Sequence, residues 1–307
     1  MQSPLAPPER IGFVGLGRMG APMARNLGRA GFVVAPIDAN PDAVKRLAGE
    51  IVCETPPDLR SLGARCRAVI TMLPDGKIVR DVVLGERGLA AGLARDSIVI
   101  DMSSSSPVGT RDLGTMLAER GIALVDAPVS GGVRKAIDGS LAIMAGGDAA
   151  AIERARPVLA AMGARIFLTG ALGSGHAMKA LNNYVSAAGL AAAAEALLAG
   201  VRFGLDPATM VSILNASTGK NNATENKFPQ YVLPRRFVSG FSLGLMVKDL
   251  RTALDLARAT ATPSPLAEAC VAAWEAAERE LGGDVDHTAA VKYWERLAGG
   301  ELPKREN

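Results

Sequence analysis

Metal-ligating and nucleophilic side chains are scarce in this sequence. Its 307 residues hold two histidines, His176 and His287, and three cysteines, Cys53, Cys66 and Cys270. Three widely spaced cysteines build neither a zinc cluster nor a disulfide framework, and they fit a reducing, cytoplasmic setting. This shortage excludes most metal, thiol and Ser-His-Asp chemistries. No metal site is expected, and proton transfer falls to Lys, Tyr, Asp or Glu. Aromatics are also few, with two Trp, three Tyr and seven Phe, so stacking platforms for bases or sugars are sparse. A net charge of +3 leaves no electrostatic footprint for nucleic acid. Residues 1–10 are proline-rich and polar, unlike an export signal. The most apolar run, residues 184–201, is interrupted by Glu195 and is rich in Ala and Gly. That composition predicts a buried helix rather than a membrane span.

What is present is enough apolar material for sizeable cores: 49% hydrophobic against 21% charged residues. The length fits about two domains at roughly 150 residues each. Short β-like runs at 11–14, 33–37, 68–72, 97–100, 123–125 and 142–145 read as buried strands. Amphipathic stretches such as 21–30, 42–47 and 110–120 lie between several of them. Strand, helix, strand in succession predicts an α/β, Rossmann-type doubly wound sheet. Residues 125–147 break the rhythm and read as glycine-rich loops and short strands. From about Gly175 onward, helical periodicity takes over, with helices expected at 176–203, 207–215, 246–260, 265–281 and 287–297 and a polar loop at 215–234. The division expected is 1–172 for a dinucleotide-binding domain and 173–307 for an all-helical domain. The Gly-rich linker at 170–175 is the natural place for a crevice.

The first run is followed by Gly15-Leu16-Gly17-Arg18-Met19-Gly20 and then a helical stretch. This is G-x-G-x-x-G in strand–turn–helix context. Gly15 permits the tight turn, Gly17 lets a pyrophosphate approach the backbone, and Gly20 permits close helix packing. Asp38 ends the second run, where a carboxylate accepts from an adenosine ribose and repels a 2′-phosphate. With Ala39 next and no adjacent Arg, NAD is favoured and NADP left open. A turn aspartate before Asn40-Pro41 is the plain alternative. Met72-Leu73-Pro74 and the serines from Ser103 onward follow strands, where a doubly wound sheet binds its ligand. The serines read equally as helix caps. Ser130-Gly131-Gly132 can present N–H groups to a carboxylate, or be an ordinary loop. In a helix, Gly175, Lys179 and Asn183 share one face, bordered by His176. Taken alone, that face reads first as a solvated patch. Cys53, Cys66 and Cys270 read as buried thiols, and His287 as a surface residue at a helix start.

Together these motifs resemble the β-hydroxyacid dehydrogenase family. Residues 15–27 look like its cofactor motif, and residues 126–147, with Ser130-Gly131-Gly132, like its substrate-binding stretch. Residues 173–183 look like its catalytic signature, and Lys248-Asp249-Leu250 like a later family segment. The resemblance implies a Rossmann-type domain joined by a long helix to a helical domain, and a homodimer or homotetramer. It implies Lys179 as acid/base, Asn183 placing the substrate, and Ser130, Gly131 and Gly132 holding its carboxylate. Lys248 would reach towards cofactor and substrate. A free lysine titrates near ~10.4, so oxidation calls for burial or a nearby cation such as Lys248 to lower Lys179. Asn221 and Asn222 lie in an amide- and hydroxyl-rich stretch, which reads as contact with a polar 3-hydroxy acid or as a solvent loop. Two rivals remain: an imine reductase-like enzyme, disfavoured by Lys179, and a non-catalytic dinucleotide-binding sensor.

Overall fold

The computed structural model describes residues 3–304, and the chain divides into two compact units, residues 1–179 and 180–307.

In the first unit, near-continuous apolar runs form strands buried on both faces, as a parallel sheet demands. The elements run β1 (Arg10–Val14), α1 (Gly20–Arg29), β2 (Val33–Ile37), α2 (Pro41–Ala48), α3 (Leu59–Arg65), β3 (Ala68–Thr71) and α4 (Gly76–Leu84). There follow β4 (Ile98–Asp101), α5 (Pro107–Ala118), β5 (Ala123–Asp126), β6 (Val129–Ser130), α6 (Gly132–Asp138), β7 (Leu141–Gly146), α7 (Ala149–Ala160) and β8 (Gly163–Gly170). The sheet order is β2-β1-β3-β4-β5-β7-β6, with β8 paired to β7. The first five strands are parallel, and β7 runs antiparallel to β5 and β6. Period-two alternation sorts side chains to the two faces. Ile11, Phe13, Ile70, Ile98 and Ile100 pack under α1 and α7 residues such as Met23, Leu27 and Val158. Val14, Val69 and Val99 face Leu62, Val79, Val83, Leu113 and Leu117 of α3, α4 and α5. Strand order reverses between β1 and β3, and their carboxyl ends flank the switch point where such sheets bind ligands.

Most helices begin on a cap of their own. Asp58 accepts from Ser61 N–H, Asp75 from Lys77 and Ile78, and Asp148 from Ala151. Two differ. Among the described residues, α1 has no side-chain cap and no acidic residue in its first turn. The other is α8 (Ser174–Phe203), which leaves the first unit after Lys179 and continues into the second.

The second unit is helical: the rest of α8, α9 (Pro207–Ala216), a π-helix (Ala223–Val232), α10 (Leu243–Ala259), α11 (Pro265–Leu281), a 3₁₀ turn (His287–Ala290) and α12 (Val291–Ala298). By length and composition α8 could cross a membrane, yet its Ala187, Leu190, Ala194 and Leu197 are buried in this unit's core with Phe228, Leu250, Trp274 and Trp294. Three sequence expectations need correction. Half of the expected loop 215–234 is the π-helix. The glycine-rich stretch contains α6. His287 is buried, 2% exposed, where a surface position was expected.

Candidate active site

The glycine loop after β1 has two constrained glycines and one open one. Gly15 has φ +99, and a Cβ there would collide with Met72 O. A Cβ on Gly20 would collide with Gly15 O. A Cβ on Gly17, by contrast, would meet nothing within 4 Å among the described residues. Gly17 and Arg18 are exposed, while Leu16 is buried and Met19 half-buried. The uncapped N-terminus of α1 thus opens onto free space at the glycine that bars no approach, a fit to a pyrophosphate. Asp38 stands at the end of β2 and braces this loop. Its Oδ2 accepts from Leu16 N–H at 2.6 Å and its Oδ1 from Asn40 N–H at 2.7 Å.

Across the switch point, Met72 and Leu73 are half-buried and Pro74 exposed. Ser103 is not at the surface. It is 1% exposed, and its hydroxyl accepts from Leu73 N–H at 2.9 Å and donates to Thr71 O at 3.4 Å. Its N–H donates to Asp101 Oδ1 at 3.0 Å, which also accepts from Thr71 Oγ1 at 2.9 Å. Ser105 Oγ donates to Asp101 Oδ2 at 2.7 Å. The side chain of Ser103 therefore supports the Met72–Pro74 loop from beneath.

Ser130 is half-buried, and Gly131 and Gly132 are exposed. Their φ values of +134 and +67 fall where side chains are disfavoured. The Lys135 stem folds back over Gly131, 2.5 Å from where its Cβ would stand. Lys179 is half-buried in the second turn of α8. Asn183 follows one turn later and is buried, 7% exposed. Its Nδ2 donates to Asp249 Oδ2 at 2.6 Å, and its Oδ1 accepts from Asn182 Nδ2 at 3.1 Å. Asp249, 1% exposed, also lies 3.1 Å from Lys248 Nζ through Oδ1. The polar stretch splits in function. Asn221 Oδ1 accepts from Ala223 and Thr224 N–H at 2.8 and 3.2 Å, capping the π-helix, whereas Asn222 is exposed.

Sequence reasoning singled out neither Thr71 nor Thr110, met Asp101 only within the polar stretch that follows the fourth strand, and met Asp126 only as the first residue of the stretch 126–147. The available signal was two aspartates closing fully apolar strands, β4 and β5. A buried carboxylate persists only with donors around it. Burial pushes the Cys66 thiol up to about 12 and Cys270 to about 11, which keeps both inert as nucleophiles.

An open glycine cradle at the switch point of a parallel sheet is the arrangement of a dinucleotide-binding protein, and the comparisons make its class a nicotinamide-dinucleotide oxidoreductase. Residues 10–170 match the family model described as the NAD-binding domain of 6-phosphogluconate dehydrogenase. Residues 173–294 match the model described as NAD-binding of NADP-dependent 3-hydroxyisobutyrate dehydrogenase. The chain is 37% identical to 2-(hydroxymethyl)glutarate dehydrogenase of Eubacterium barkeri, over 94% of this chain and 96% of that one. Mycobacterium tuberculosis 3-hydroxyisobutyrate dehydrogenase, solved with L-serine, superimposes with a TM-score of 0.85 at 34% identity, covering 93% and 99% of the two chains. An imine reductase from Myxococcus stipitatus shares only the fold, with a TM-score of 0.63 at 16% identity, covering 96% and 100%. The chain belongs to the β-hydroxyacid dehydrogenase family and is an NAD(P)-dependent hydroxyacid dehydrogenase.

Proposed function

We propose that this enzyme oxidises a small, polar 3-hydroxy acid with NAD, or reduces the matching semialdehyde or keto form, and that Lys179 is its acid/base. One observation carries the proposal: a single compact unit holds the open glycine cradle, the Ser130–Gly132 loop and Lys179. Gly15 to Gly20 and the Met72–Pro74 loop bind the cofactor, whose nicotinamide supplies the hydride acceptor. Asp38 sets the preference for NAD. The N–H groups of Gly131 and Gly132, with the Ser130 hydroxyl, hold the substrate carboxylate. In oxidation Lys179 Nζ takes the hydroxyl proton, and in reduction it returns it. The second amide proton of Asn183, the one not given to Asp249, orients the hydroxyl. Lys248 is steadied by Asp249, and the exposed Asn222 contacts polar substrate groups. Exposed Leu181, Val185 and Phe203 along α8 support a homodimer or homotetramer. Three free cysteines support a cytoplasmic location.

The test is a panel of 3-hydroxyisobutyrate, 3-hydroxypropionate, D-glycerate, L-threonate, L-serine and 2-(hydroxymethyl)glutarate with NAD and NADP. Sustained NADH production from at least one is expected. Lys179→Ala is expected to bind NAD normally and lose at least ~10²-fold in kcat. Substantial turnover by the folded variant refutes the assignment.

A further inference from the structure

We propose that Asp126 is the positioning residue for Lys179, setting the lysine's place relative to the carboxylate-binding loop. This rests on the reading of Lys179 as acid/base. Asp126 closes β5 and is fully buried. Its Oδ1 accepts from Gly173 N–H at 2.8 Å and its Oδ2 from His176 N–H at 2.8 Å. These are the two donors at a helix start that a local capping box satisfies. The α8 sequence supplies no such box, because Gly173, with φ +87, stands at the cap position. One carboxylate, 47 residues upstream of Gly173, does both jobs and lays a negative charge at the positive end of the helix.

The surroundings leave α8 no room to slide. A Cβ on Gly146 would stand 2.6 Å from both Asp126 Oδ1 and Ser174 Oγ. A Cβ on Gly175 would collide with Met144 O. The His176 ring is buried and held at one nitrogen. Its Nδ1 meets Thr110 Oγ1 at 2.8 Å, and that hydroxyl donates to Ser106 O at 2.9 Å. Its Nε2 lies 3.6 Å from Asp101 Oδ2. Lys179 follows His176 by three residues, an axial rise of about 4.5 Å. In the other direction, the backbone from Asp126 reaches Ser130, Gly131 and Gly132 within six residues. One side chain therefore joins the segment that grips the substrate carboxylate to the helix that moves the proton. A misplacement of about 1 Å between such groups costs about 10²-fold in rate.

Asp126→Asn tests this, because it keeps the shape but turns an amide N–H₂ towards one of the two donors. With the substrate that the wild type turns over, kcat is expected to fall by about 10²-fold. NAD affinity is expected to stay within about threefold, and the pH profile of kcat to move, since Lys179 no longer holds one environment. A purely structural role would leave that profile unmoved. If Asp126→Asn does not fold, Gly175→Ala decides: it keeps the carboxylate in the chain but pushes α8 off Met144 O and off Asp126, whose O and Oδ2 would stand 2.9 Å from the new Cβ, and is expected to give the same loss of kcat. A kcat within about threefold of wild type and an unmoved profile in the folded variant overturn the proposal. Absence of wild-type turnover across the whole panel refutes the acid/base reading instead.

Discussion

In the proposed function Asp38 does two things with one carboxylate. Two backbone donors, Leu16 and Asn40, already engage its two oxygens, so it arrives pre-set for a ribose. A 2′-phosphate placed there meets a negative charge already fixed in position. Wild-type kcat/KM is expected to favour NAD over NADP by at least ~10-fold, about 1.4 kcal/mol. Asp38→Asn retains an acceptor for the loop and removes the charge, so the ratio should fall by about that factor. A wild-type preference for NADP refutes the role. Spacing alone pointed to Asp38, because the residue at the end of the second strand of such a unit has a fixed place. Ser103 was harder. Its sequence context suits a cofactor contact, but the N–H it accepts from belongs to Leu73, 30 residues away. Asn221 is similar, since its capping role depended on a π-helix that its own residues do not announce.

At the scale of elements, the glycine motif divides by space. Gly20 is hemmed in by the turn it closes, whereas Gly17 faces nothing within 4 Å among the described residues. Gly20→Ala is expected to destabilise the first unit by about 1–3 kcal/mol, as overpacking does. Gly17→Ala is expected to melt normally and to weaken NAD binding at least ~10-fold, because its methyl occupies only the space needed by a pyrophosphate. Differential scanning fluorimetry with and without NAD separates the two. Normal NAD binding by Gly17→Ala counts against the cradle. The first unit's parallel strands were legible to within a residue because each is a short apolar run between turn signals. Less legible was β8, whose Phe167 and Leu168 are exposed and so lack the burial pattern of the others. The π-helix was hidden by polar residues and Pro229 inside it, which local propensity reads as a loop. Burial of Phe228 and Val232 against the second core outweighs that propensity.

At the scale of the whole molecule, one buried histidine, His287, links the stability of the second unit to acid. Burial lowers His287 to about 4, helped by Lys227 from the π-helix and opposed by Asp286 and the Phe241 carbonyl. The folded state therefore refuses a proton that the unfolded chain accepts near ~6.5. The unfolded state binds more protons throughout the interval between these values, so stability rises with pH across it. The contribution is whole above about pH 6.5 and is lost progressively as pH falls to about 4. Its span is about 3 kcal/mol at 1.36 kcal/mol per unit. Asp286 does not confuse this window. Burial raises it, but hydrogen bonds from Thr288 and Gly240 outweigh burial and hold it below 3.8, so its loss begins at lower pH. Two compact units need not unfold as one, but the chain has only two tryptophans, and both lie in the second core, T-shaped at 5.8 Å. Their fluorescence in urea reports the unit that contains His287. The midpoint is expected to fall steadily from pH 6.5 to 4, and His287→Gln to flatten that slope while lowering stability at neutral pH. An equally steep slope in the variant would assign the acid sensitivity elsewhere.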